Sequence, residues 1–148
     1  MTTVNDHPPQ GSDQCYCLAS RRSARYLTRL YERHLAPLEM TSSQFSVLSI
    51  LHHTPHLTVA ELAAALEMER TTLVRTLKPM KLAGWVDDSA TRTGRAAVLA
   101  MTPAGRRKLE QGVPLWQAAQ QAFEDEVGRD AAWQLRAMAL ATFSRKTG

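Results

Sequence analysis

Two capping boxes, opening at Thr41 and at Thr58, restrict this chain more than any other feature it carries. Thr41 is followed by Gln44 and Thr58 by Glu61, the spacing at which a hydroxyl and an amide or carboxylate satisfy each other's unpaired backbone N–H groups at a helix start. The first box opens a helix with Phe45, Leu48 and Leu51 on its buried side, ended by HHTPH, and the second opens the short helix VAELAAAL. Two fixed helix starts this close together require short helices joined by a tight turn.

After a turn at Glu67 to Glu69, the stretch ERTTLVRTLKPMKLAGWV has the periodicity of an amphipathic helix. At about 100° per residue, Leu73, Leu77, Met80 and Gly84 share one side, while Thr71, Arg75 and Leu82 lie opposite, flanked by Thr72, Lys78 and Pro79. Gly84 stands where a left-handed C-terminal cap is wanted. Pro79 has no N–H for the carbonyl of Arg75, so a bend or a loosened bond is expected in the last turns, with Arg70 to Thr76 regular. WVDD and AVLAMT then read as two strands around the polar turn SATRTGR, and Thr102-Pro103 opens another helix.

Around this middle, a helix is expected from Tyr16 to Ala36, with Leu27, Leu30, Tyr31, His34 and Leu38 in helical register and Pro37 ending it. Two more helices, 103 to 127 and 129 or 130 to 144, carry Trp116, Phe123, Trp133, Leu140 and Phe143 as apolar anchors. Residues 1–14 are polar and read as a flexible tail. Short helix, turn, helix and hairpin make a winged helix-turn-helix order, so the fold class is mainly α with a small β-hairpin wing. Residues 41–102 form the expected DNA-binding lobe, and 15–40 with 103–148 the helical dimerisation region. A helix about 10–12 Å across fits the major groove, and arginines on a wing tip suit the narrow minor groove.

Charge follows the same division. From Thr58 to Lys108, nine Lys and Arg face five acids, a net of +4 that equals the charge of the whole 148-residue chain. No apolar run approaches the roughly 18 residues of a membrane span, so no membrane partner and a cytoplasmic location are expected. There is no phosphate-binding glycine loop, HExxH, nucleophile elbow or carboxylate pair, so no enzymatic activity and no cofactor are expected.

LTVAELAAALEMERTTLVRTLKPMKLAGWV, the wing DDSATRTGRAAVLAMTPAG and the flanking helices resemble the MarR family of transcriptional regulators, with VLAMTPAG the most specific piece. The sequence departs from many members in having Thr91 where they carry an aspartate before the first wing arginine. The resemblance implies an obligate homodimer that binds a pseudo-palindromic operator in double-stranded DNA, with two recognition helices one helical turn apart. On that reading Arg70 and Arg75 contact guanines, and Thr71 and Thr72 reach bases or phosphates. Thr76 completes the helix's DNA-binding set, Lys78 and Lys81 meet phosphates, and Arg92 and Arg95 enter the minor groove.

The expected role is repression relieved by a small aromatic or anionic effector, with Tyr31, His34, His52 and His53 as pocket candidates. Cys15 and Cys17 support an alternative, a thiol-based oxidant-sensing repressor: Cys17 resembles the reactive cysteine of the OhrR branch, and Tyr31 one of that branch's cysteine-partnering tyrosines. The second matching position is Ser42. A second alternative is a winged-helix protein-interaction module that does not read DNA. Arg21, Arg25, Arg29 and Arg33 recur every four residues as a solvated or intersubunit stripe. Two cysteines cannot make a four-ligand zinc site, and the histidines at 52, 53 and 56 lack clear carboxylate partners, so no metal is expected.

Overall fold

The computed structural model describes residues 7–91 and 97–144, with 89–91 and 143–144 described by their backbone alone. Six α-helices appear among them: α1 (Tyr16–Leu35), α2 (Ser42–His53), α3 (Val59–Ala65), α4 (Arg70–Leu82), α5 (Pro103–Val127) and α6 (Arg129–Ser144). One antiparallel hairpin, β1 (Val86–Thr91) with β2 (Ala97–Met101), lies between α4 and α5.

The chain divides into two compact units, residues 35–115 and residues 1–34 with 116–148. In the first, both capping boxes close. Thr41 accepts from the Gln44 N–H at 3.1 Å while Gln44 Oε1 accepts from the Thr41 N–H at 3.0 Å, and Thr58 and Glu61 repeat the exchange at 3.2 and 2.8 Å. Replacing Thr58 by alanine removes the cap that starts α3. It should cost about 1 kcal/mol, read as a fall of roughly 2–4 °C in melting temperature by circular dichroism.

The core of this unit is aliphatic: Leu35, Leu48, Leu51, Leu62, Leu73, Leu77, Met80, Val98 and Leu99 are all buried. α4 continues through Pro79 to Leu82 and ends in a Schellman motif. Gly84 takes the left-handed conformation at φ 75°, its N–H reaches the Lys81 carbonyl at 3.0 Å, and the Trp85 N–H reaches Met80 at 2.9 Å. The hairpin pairs Val86 with Met101 and Thr91 with Ala97, with an irregularity between Asp87 and Ala90. Leu57 adds an isolated antiparallel bridge to Leu99, so β2 is paired on both edges.

Thr102 joins hairpin to helix. Its N–H donates to the Trp85 carbonyl at 3.0 Å, its hydroxyl donates to the Gly84 carbonyl, and the same oxygen accepts from the Gly105 N–H at 3.0 Å. One threonine thus caps α5 and holds the hairpin's base.

In the second unit α1, α5 and α6 are linked by polar bonds. Tyr26 donates to Glu126, Tyr31 donates to Gln120, and the Trp133 indole donates to Glu124 at 3.2 Å. Leu30, Ala119 and Ala132 are its buried apolar residues among those described, whereas Trp133, Leu135, Met138 and Leu140 of α6 are exposed. α1 ends at Leu35, one residue before the expected end. The last four residues of the expected tail form a 3-10 turn, Gly11–Gln14, with Asp13 paired to Arg22 at 2.8 Å.

Candidate nucleic-acid interface

Leu73, Leu77 and Met80 are at most 2% exposed and fix which face of α4 is turned inward. Arg70, Thr71, Thr72, Val74, Arg75 and Lys78 are left exposed on the other face. The start of the helix differs from its neighbours. α2 and α3 are capped by boxes, but Glu69, at the N-cap of α4, makes no side-chain cap bond, and no acid stands in the first turn. The unpaired N–H groups and the positive end of the helix dipole therefore stand beside Arg70, an arrangement complementary to an anion.

The polar candidates are not equivalent. Thr76 is half-buried and its hydroxyl donates to the Thr72 carbonyl at 3.1 Å, which leaves it only lone pairs, able to accept from a base amino group but not to bond a phosphate. Lys81 is paired with Asp88 at 2.5 Å, so it ties α4 to β1. Among the described residues Lys78 has no ion pair. The wing candidates Arg92 and Arg95 lie outside the described residues. The hairpin's base is anchored by buried Val86, Val98 and Leu99, and Lys108 sits 5.1 Å from the Trp85 ring centroid.

The effector candidates fall in both units. Tyr31 lines a cavity of about 250 Å³ with Leu27, Phe123, Trp133 and Arg136 among its walls. Burial raises its phenol above the ordinary value of 10.0, against the opposing pull of Arg136, so the group stays a neutral donor to Gln120. The Arg129 and Arg136 guanidiniums lie 4.6 and 5.7 Å from the Trp133 ring centroid. His34 places Nδ1 2.9 Å from the Leu30 carbonyl. His52 and His53 belong to the other unit, exposed, with rings 5.1 Å apart edge to face. Sequence reasoning passed over Gln120, Trp133 and Arg136 as cavity residues. Their distance along the chain from Tyr31 left no local spacing to find them by.

Both cysteines are free and exposed, and the Leu18 N–H points at the Cys15 sulfur at 3.4 Å. Arg21, Arg25, Arg29 and Arg33 are all exposed on α1. Among the described residues no cluster of three His, Cys, Asp or Glu side chains could hold a metal ion, and no helix is long and apolar enough to cross a membrane.

Known proteins share this arrangement. Residues 38–96 match the family model for the MarR family. The M. tuberculosis transcriptional regulator MosR is 34% identical, with 90% of this chain and 99% of that one covered and a TM-score of 0.76, and it has also been solved in complex with DNA. The transcriptional repressor CouR, solved bound to p-coumaroyl-CoA, is 25% identical, with 94% and 99% covered and a TM-score of 0.79. YwoH, an uncharacterised HTH-type transcriptional regulator of Bacillus subtilis (strain 168), is 30% identical over 90 residues, which span 61% of this chain and 66% of that protein. With a third of its residues shared with MosR over nearly the full length of both, and with its helix-turn-helix and hairpin in the order described, the chain belongs to the MarR family of transcriptional regulators, a non-enzymatic class.

Proposed function

We propose that the chain is a homodimeric repressor that binds a pseudo-palindromic operator and is released by a small aromatic or anionic ligand. The observation that carries the DNA half is the outer face of α4, where Arg70, Thr71, Thr72, Arg75 and Lys78 are exposed around an uncapped, acid-free first turn. Arg75 is central on that face and reads guanine through paired hydrogen bonds. Arg92 and Arg95 on the wing enter the adjacent minor groove. A winged-helix protein-interaction module would present an apolar surface here, and this face is polar.

The dimer half is supported by α6, whose apolar residues stay in water in a single chain. A second copy across this face would cover them and roof the cavity beside Tyr31. That cavity combines aromatic walls with the Arg136 guanidinium, the chemistry an aromatic carboxylate requires. The ligand releases DNA by favouring one dimer geometry over the other. Thiol sensing is the weaker reading, because Tyr31 donates to Gln120 and not to a cysteine.

Arg75→Ala should weaken operator binding by about 1–3 kcal/mol and relax base preference at one position per half-site, in a fluorescence-anisotropy titration against operator and single-base variants. Unchanged affinity and unchanged preference would mean that α4 is not the reading surface.

A further inference from the structure

We infer that Val74 reads a thymine methyl group in each operator half-site, a proposal that rests on α4 entering the major groove. On the helical wheel Val74 lies in the row Arg70, Val74, Lys78, beside Thr71 and Arg75, among the polar residues assigned to DNA. It is 52% exposed, while the inward arc is already filled by Leu73, Leu77 and Met80. Packing therefore accounts for only its inner edge, which borders a shallow groove shared with Val59, Leu77 and Leu82.

A single exposed aliphatic residue is ordinary on a protein surface. Its position separates this one. Val74 stands in the second turn of α4, flanked by side chains that donate hydrogen bonds, where it can make none itself. In the major groove base edges offer donors, acceptors and one apolar group, the 5-methyl of thymine. A β-branched side chain in a helix holds essentially one rotamer, so its methyl groups are already aimed and little freedom is lost on contact. Arg75 and Thr71 can then take the polar edges of neighbouring base pairs while Val74 distinguishes thymine from bases without the methyl.

Thymine and deoxyuridine differ by that methyl alone, so a double-mutant cycle isolates the contact. Wild-type protein and Val74→Ala are titrated by fluorescence anisotropy against the operator and against versions carrying deoxyuridine at each thymine in turn. Wild-type protein should lose about fourfold in affinity at one symmetric pair of positions. Val74→Ala removes the contact from both half-sites of the dimer, so it should lose about the square of that factor, roughly 16-fold, on the unmodified operator and become insensitive to deoxyuridine there. Helix content by circular dichroism should be unchanged. Sequence-specific binding in which the protein and DNA changes are additive at every position overturns this inference and leaves the DNA-reading function standing. A wild-type protein with no preference for any DNA overturns both.

Discussion

Gly105→Ala should destabilise the protein by about 3 kcal/mol or more, although alanine is normally the better helix residue. A Cβ at this position would lie 2.1 Å from the Trp85 carbonyl oxygen and 3.0 Å from Met101 Cγ. The first of these is a backbone atom. It is already held by the Thr102 N–H at 3.0 Å, so neither side can yield without breaking the cap of α5 or the base of the hairpin. The intrinsic gain from replacing glycine by alanine in a helix is about 1 kcal/mol, and overpacking typically costs 1–3 kcal/mol, more when the backbone must move. The clash therefore wins. Gly112→Ala provides the internal comparison. Its Cβ would meet the Phe45 ring at 2.9 and 3.0 Å, but a ring can tilt where a peptide plane cannot, so its loss should be the smaller of the two. Urea unfolding followed by circular dichroism measures both. Equal stability of Gly105→Ala and wild type would show that α5 and the hairpin are not locked together at this point.

Gly105 also shows what the sequence made legible and what it withheld. The run VLAMTPAG stood out as a pattern, and the contacts supply its reason: Thr102 caps α5 and Gly105 admits the Trp85 carbonyl. Features written in local spacing were readable. The threonine boxes located the starts of α2 and α3, the period of Leu73, Leu77 and Met80 set the inward face of α4, and Gly84 marked its left-handed end. Features made by residues distant in the chain were not. The Leu57 to Leu99 bridge is a single pair with no alternation to betray it. The Lys81 to Asp88 ion pair, which ties a lysine expected at phosphates to the hairpin, was not legible either, because it forms only when the turn after α4 brings β1 back beside the helix. Within the effector region, Tyr31 finds Gln120 89 residues away, whereas the neighbouring-looking His52 and His53 belong to the other unit.

Met138→Asp should leave the single chain folded, convert the protein to a monomer and abolish tight operator binding. In one chain Met138 is 71% exposed and Leu140 61%, so a carboxylate at 138 meets water and costs little there. If a second copy covers α6, two-fold symmetry places this carboxylate on each copy within the apolar face formed with Leu135 and Leu140. Leaving a charge unpaired in such an interface costs about 3–5 kcal/mol for each of the two copies, a weakening of the dimer by roughly 10⁴-fold or more. DNA binding should fall with it, because the two recognition helices engage half-sites about 34 Å apart only while joined. A monomer retains the contacts of one α4 and loses the gain from linking two. Sedimentation velocity at micromolar protein, with anisotropy titrations on full and half operators, separates these effects. The variant should sediment as a monomer and bind both DNAs with similar weak affinity. A dimer of wild-type strength carrying aspartate at 138 would mean that the exposed face of α6 is not where two copies meet.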